Sequence, residues 1–443
     1  MWIILNETKK ITDKKKLLFI LIGIIIAITL IVCFIIALKN HKSNSSSTSN
    51  SSSSTLNSST ITSGGNYEIT GNNECIVINT TDKIELDLNN AKITCESGPA
   101  INVISAGKVN IVLTGENTIT STTTEDLDGA IYSKDDLEFS GSGSLNITSN
   151  YDGIVSKDDL VINEGTYTIN SEDDGIRGKD SIEINNGTFN INSGSNGIKT
   201  TNAEDTEKGY INIKDGTFNI TSVGDAIQAV TNLVINNGTF TIKTSGDTNT
   251  VSAKGLKATS SIQIDNGTFN INTTDDSIHS DGNITLNNGE YTITSKDDAI
   301  HADGMVEIND GTYTLNAPEG IEATYVKING GTININATDD GINAGNKSNT
   351  YTTTVEINGG NITISMGAGD TDGIDSNGNI YINGGTTNIT ANSPFDYDGE
   401  AKYTGGTIIV NGETTNTITN QMMGGDMNSG LGGNQGQRQG GRP

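Results

Sequence analysis

The sequence predicts an all-β fold: a right-handed parallel β-helix of about twelve coils of roughly 22 residues, behind a single N-terminal transmembrane helix. Three observations carry that expectation. A unit recurs, as in "DDSIHSDGNITLNNGEYTITSKDDAIHADG" (275–304), where Asp275, Asp276, Ile278 and His279 return 22 residues later as Asp297, Asp298, Ile300 and His301. Within each unit the aliphatics alternate at period two in short runs bounded by Asn and Gly, which is strand patterning. Near the N-terminus, "LLFILIGIIIAITLIVCFIIAL" (17–38) carries no charge over 22 residues.

That apolar run is long enough to span a bilayer as a helix. Residues 1–16 hold Lys9, Lys10, Lys14, Lys15 and Lys16, against Lys39 and Lys42 on the other side, so the positive-inside bias places 1–16 in the cytoplasm and the rest outside. A cleaved signal peptide is the competing reading, but its apolar stretch is usually shorter, about 7 to 15 residues. Residues 39–60 form a Ser-rich linker, 61–420 the repeat domain, and 421–443 a Gly/Gln-rich tail expected to be disordered. Cys33 falls in the apolar run. Cys75 and Cys95 stand 20 residues apart, close to one repeat, which leaves a disulfide between adjacent turns and two free thiols both open.

Apolar residues make up 33% of the chain, aromatics 5%, and the net charge is -27, a balance that by itself suggests disorder. Runs such as "SIEINNGTFNIN" argue otherwise, because their alternation suits a half-buried strand. So acidic a surface argues against nucleic acid as a partner and for divalent cations.

Aligning the repeated aliphatic gives Ile131, Ile154, Ile176, Ile198, Ile227, Leu256, Ile278, Ile300, Ile321, Ile342 and Ile374, with insertions of roughly 7 to 10 residues in three places. Self-similarity at this period marks a solenoid. The unit "DGIRGKDSIEINNGTFNIN" (174–192) breaks into three short strands separated by turns, which describes a β-helix coil; the leucine and asparagine signature of leucine-rich repeats is missing. The right-handed form follows from the general handedness of parallel crossovers. Tyr167, Phe189, Phe218, Phe240, Phe269, Tyr291 and Tyr313, then Ile333 and Ile362, are in phase with buried isoleucines and read as a core stack. Asn163, Asn236, Asn287, Asn309, Asn329, Asn358 and Asn383 read as a structural ladder that satisfies turn backbone.

Two residues before the aligned aliphatic stands an acid column: Asp128, Asp152, Asp174, Asn196, Asp225, Lys254, Asp276, Asp298, Glu319, Asp340 and Asp372. It is doubled at Asp173, Asp275, Asp297 and Asp339. Like charges about 4.8 Å apart on neighbouring strands repel, so something must compensate. Turn propensity explains some aspartates. Calcium explains the rest better, since it takes about 6 to 8 oxygen ligands. The candidate metal ligands are Asp275 and Asp276 with Asp297 and Asp298, Asp152 with Asp173 and Asp174, and Asp339 with Asp340. One residue after the aliphatic, Arg177, Lys199, Lys257, His279 and His301 form a donor stripe expected to face outward and to bind polysaccharide hydroxyls or carboxylates. The plainer alternative is that these bases neutralise the acids beside them; zinc at the two histidines is the least favoured.

The run "DGAIYSKDDLEFSGSGSLNITSNYDGIVSKDDLVINEGTYTINSEDDGIRGKDSIEINNGTFNI" (128–191), together with "GPAINVISAGKVNIVLTGENTIT", resembles a family of secreted bacterial carbohydrate-binding proteins. The resemblance covers 61–420 and implies a right-handed parallel β-helix similar to pectate lyases, calcium at the acidic turns, and binding of cellulose-like or acidic sugars. It does not imply catalysis. A polygalacturonase-like hydrolase is suggested by "TDGID" (371–375), but the Gly-His element is absent and the Arg177-to-Lys179 pair lies eight coils away, roughly 38 Å at strand spacing. A lyase would need calcium plus a base such as Arg177 or Lys257, without a catalytic signature to support it. The expectation is therefore a membrane-anchored, monomeric, extracellular calcium-dependent carbohydrate-binding protein; a surface stalk or adhesin is the second class and a lyase the third.

Overall fold

The computed structural model describes residues 54–55, 60–368 and 371–420. The chain divides into two units, Met1–Ser52 and Ser53–Pro443. The first unit, with the apolar run 17–38, lies outside the described residues, as do most of the linker 39–60 and the tail 421–443. No helix among the described residues is long and apolar enough to cross a membrane.

Regular structure in the described residues is entirely β. The second unit is a solenoid of parallel strands in which each coil contributes to three faces. One coil runs Ile176–Gly178 on the first face, Ser181–Ile184 on the second and Thr188–Ser193 on the third. The next strand, Ile198–Thr200, returns to pair parallel with Ile176–Gly178, placing Ile198 opposite Ile176. The aligned aliphatic column stays in register from end to end: Ile131 opposite Ile154, Leu256 opposite Ile278, Ile342 opposite Ile374. The three insertions leave at corners, two between the first and second faces (Thr200 to Tyr210 and Ala344 to Thr354) and one between the third and first (Thr244 to Leu256), so pairing on either side is undisturbed.

Core packing follows from this register. The third-face rings stack face to face from Tyr167 to Tyr313, with centroids 4.7 Å apart for Phe218–Phe240 and Phe240–Phe269 and planes within 4°. That spacing is the distance between paired strands, so the backbone repeat itself sets the stacking distance. Where the ring is tyrosine, its hydroxyl donates to a turn carbonyl three residues back: Tyr167 to Glu164 at 2.9 Å, Tyr291 to Asn288 at 3.0 Å and Tyr313 to Asp310 at 2.8 Å. Glycine precedes the ring for two reasons visible at Gly238: its φ is 141°, and a Cβ there would stand 2.9 Å from the Phe240 ring.

The asparagine ladder is present but works differently from expectation. Its amides bond chiefly to one another rather than to turn backbone: Asn309 to Asn287 at 2.9 Å, Asn329 to Asn309 at 2.8 Å and Asn358 to Asn329 at 3.0 Å. An amide offers both a donor and an acceptor, so identical side chains in register satisfy each other. Cys75 and Cys95 are joined by a disulfide, which settles the alternative left open by their spacing. At the far end Thr407–Val410 pairs antiparallel with Glu413–Thr415 around Asn411–Gly412, with φ 51° and 85°. This hairpin ends the parallel stack at its last coil.

Replacing Phe240, in the middle of the stack, by Ala is expected to destabilise the protein by about 3 to 5 kcal/mol. Thr241→Ala, on the exposed side of the same strand, should stay within about 0.5 kcal/mol. Equal melting temperatures for the two variants would show that the ring stack contributes nothing to stability.

Candidate functional site

The acid column occupies the approach to the first face, and its geometry divides each carboxylate into two jobs. One oxygen accepts a backbone N–H from the equivalent position one coil on: Asp174 donates to Asp152 Oδ1 at 2.9 Å, Asn196 to Asp174 Oδ1 at 3.0 Å, Lys254 to Asp225 Oδ1 at 2.8 Å and Asp298 to Asp276 Oδ1 at 3.1 Å. This is a turn role, and it continues where the row changes type, since Asn196 Oδ1 accepts from Asp225 at 2.9 Å.

The other oxygen faces the donor stripe. Arg177 bridges Asp128 and Asp152, reaching Asp152 Oδ2 at 2.7 Å; Lys199 lies 2.8 Å from Asp174 Oδ2 and Lys257 3.5 Å from Asp225 Oδ2. His279 Nδ1 stands 2.8 Å from Asp276 Oδ2, and His301 Nδ1 stands 2.7 Å from Asp298 Oδ2 and 3.2 Å from Glu322. Lys254, where the row breaks, spans Asp275 at 2.8 Å and Asp276 at 2.6 Å. All five stripe residues are therefore engaged with the acid row, the two histidine side chains only 13% exposed. Sequence periodicity marks them as outward, but the same column is fully buried at Val155 and nearly so at Tyr132 and Glu322. The first face is thus flanked by packed side chains over much of its length.

Burial and charge act against each other here. Burial alone would lower the His301 imidazole, but Asp298, Asp276 and Glu322 outweigh it and push it up to about 9. Burial lifts the Asp152 carboxyl to about 7 even beside Arg177. Carboxylate oxygens of Asp152, Asp173 and Asp174 lie within 4.8 Å of one another, as do those of Asp275, Asp276 and Asp297.

Beyond Glu322 the stripe loses its bases and becomes Asn343, Asp375 and Asp396, in register on successive coils. Among the described residues no lysine, arginine or histidine pairs with Asp340, Asp375 or Asp396. Burial, then neighbouring acids, push Asp340 up to about 7 and Asp375 up to about 6. Glu319 rises to about 8 for the same reasons, although Asn343 donates to it at 3.0 Å. Asp340, Asp375 and the exposed Asp339 are therefore carboxylates without a base partner, although their oxygens are not among the trios of described residues that converge within 4.8 Å. A further acid trio, Asp136, Asp158 and Asp159, forms at the next corner. The recurring "SKDD" signalled it, but its place outside the acid column hid the convergence.

The family model described as "Carbohydrate-binding domain-containing protein" matches residues 56–299 and 292–428, which together span the solenoid. The chain belongs to that family. Among solved structures it is similar to "the polysaccharide lyase-like protein from C. thermocellum, Gadolinium derivative", with 32% identity over 46% of this chain and 86% of that one, at a TM-score of 0.43. No curated protein matches the chain.

The perturbed groups predict a pH dependence. Asp340 and Asp375 hold protons more tightly folded than unfolded, so stability should fall as pH rises from about 4 towards 7. His301 contributes stability that is complete below its ordinary value of about 6.5 and is lost as pH climbs through about 9. Melting curves in chelator between pH 4 and 8 should therefore decline towards alkaline pH. Asp340→Asn should melt higher than the wild type at pH 8 and alike at pH 4; parallel curves at both pH values would contradict the assignment.

Proposed function

We propose that this is an extracellular polysaccharide-binding protein, held to the cell membrane by residues 17–38, acting as a monomer and binding calcium along its acid column. The observation that carries carbohydrate binding is membership of the carbohydrate-binding family across the whole solenoid. Plant-type and acidic polysaccharides are the candidate ligands. Binding without cleavage is the better-supported reading: Arg177 is held by two carboxylates that, against burial, raise it further, so it is poorly suited to remove a proton.

The oxygen-only donor set at Asp339, Asp340 and Asp375 suits calcium, which needs no base displaced there. The pairs Asp152 with Asp173 and Asp174, and Asp275 and Asp276 with Asp297 and Asp298, offer the same chemistry in competition with Arg177, Lys199, Lys254 and His301. Bound calcium would supply positive charge to a self-repelling column and a bridge to sugar carboxylates.

Calcium at pH 7.5 should raise the melting temperature of the wild type and raise that of Asp340→Asn/Asp375→Asn less. A wild-type curve unchanged by calcium removes the metal from the proposal. In native gels containing a soluble β-glucan or polygalacturonate, the protein should be retarded by at least one polymer, and mobility unaffected by both overturns carbohydrate binding. Fractionated cells test the anchor: the full chain should sediment with membranes and a chain lacking residues 1–42 should not.

A further inference from the structure

Most aromatic side chains of the solenoid are spent on the core, and a few half-buried tyrosines face outward instead. Three of them, Tyr325, Tyr351 and Tyr381, gather on the second face near the C-terminal end. Tyr325 opens a second-face strand segment two residues before Lys327, and Tyr381 lies two coils on, in register with Glu356 and through it with Lys327. Tyr351 comes from the insertion between Ala344 and Thr354, and its ring centroid is 6.1 Å from that of Tyr325 at 43°.

These rings are held in place. The Tyr325 hydroxyl donates to the Glu356 carboxylate, and Tyr381 lies close enough to bear on its ionisation. The insertion that carries Tyr351 is tied down by two backbone N–H groups, of Lys347 and Ser348, donating to Thr324 Oγ1 at 3.1 and 2.8 Å, and by Lys347 Nζ to Glu322 at 2.8 Å. Preorganised aromatic surface is what a weakly polar ligand needs, since little freedom is lost on binding. Charges around the rings are internally paired: Lys327 with Glu307 at 2.9 Å and Lys402 with Glu400 at 2.7 Å, while Lys402 Nζ sits 5.2 Å from the Tyr381 centroid. In a chain of net charge -27, this patch of two lysines among three glutamates is close to neutral. It complements an uncharged ligand and offers donors and acceptors to hydroxyls.

We propose that Tyr325, Tyr351 and Tyr381 form a stacking platform for a neutral β-linked glycan crossing the second face obliquely. Tyr325 and Tyr381 lie two coils apart, about 10 Å along the axis, and two strand positions apart across it, a separation comparable to a disaccharide unit, so an extended chain can meet both. Pyranoses with equatorial substituents present C–H groups on their faces, which suit the negative face of a phenol ring. Glu307, Glu356, Lys327 and Lys402 then address the hydroxyl edges. The proposal rests on the carbohydrate-binding reading and specifies its surface and its ligand class.

The test is affinity electrophoresis of the full-length chain in gels of hydroxyethyl cellulose and, separately, polygalacturonate. Wild type should be retarded by the neutral glucan, and Y325A/Y351A/Y381A should bind it about tenfold more weakly or worse, the loss expected when aromatic anchors are truncated. Y325F/Y351F/Y381F, which keeps the ring faces, and Y151A/Y210A, which removes outward tyrosines elsewhere, should behave as wild type. Melting curves show whether the alanine variant is folded; if it is not, Y351A alone carries the comparison, with a partial loss expected. Undiminished binding by the folded alanine variant overturns the platform, as does retardation by polygalacturonate alone, which leaves carbohydrate binding standing. Retardation by neither polymer overturns both.

Discussion

In this fold, every residue has as its neighbour the equivalent residue one coil away, at the spacing of paired parallel strands. The in-register aliphatic column from Ile131 to Ile374 shows the rule without exception through three insertions. Stacking like on like rewards side chains that complement themselves. Flat rings do so through offset faces and asparagines through amide pairs, which is why the Phe–Tyr stack and the Asn287–Asn383 ladder run so long. Hydrophobic burial stabilises the coil, but translation by one coil decides which residues can occupy a column.

Carboxylates are the side chains that this rule penalises, and the first-face approach is full of them. Their retention is explained over the N-terminal and central coils by the division of labour between the two oxygens. One replaces a turn's missing hydrogen-bond acceptor and the other meets Arg177, Lys199, Lys257, His279 or His301. The basic stripe is therefore the counter-charge of the acid column before it is anything else. Past Glu322 the counter-charge stops while the acids continue, and burial with neighbouring acids pushes the carboxyls of Asp340 and Asp375 up to about 7 and about 6. Charge compensation by bases is thus confined to one part of the column.

A rigid stack also separates function from stability. Inward columns are committed to packing, so recognition must be written on outward positions, where one coil can differ from the next without disturbing the register. The C-terminal third uses that freedom most: one second-face column carries Lys327, Glu356, Tyr381 and Lys402 where earlier coils carry Val161, Glu183, Asn212 and Val234, and Tyr325 stands two residues before Lys327. Here the insertion bearing Tyr351 adds an aromatic ring that no strand position supplies.

The coil, its three strands, the inward aliphatics and rings, and the acid column were all legible in the sequence. Each depends only on period, and a period survives translation into space unchanged. Asp152, Asp173 and Asp174, or Asp275 and Asp276 with Asp297, converge because equal positions in equal coils must do so. Which carboxylate oxygen meets backbone and which meets a base was not legible, because that choice belongs to side-chain rotamers. Nor was the meeting of Tyr325 with Tyr351, set by how a nonrepeating insertion folds back on Thr324. The disulfide between Cys75 and Cys95 needed adjacent turns to bring two thiols together, a distance that spacing alone left undecided. By itself the sequence determined what repeats; the tertiary structure decided what each repeated group touches, because contact depends on orientation and a repeat specifies only position.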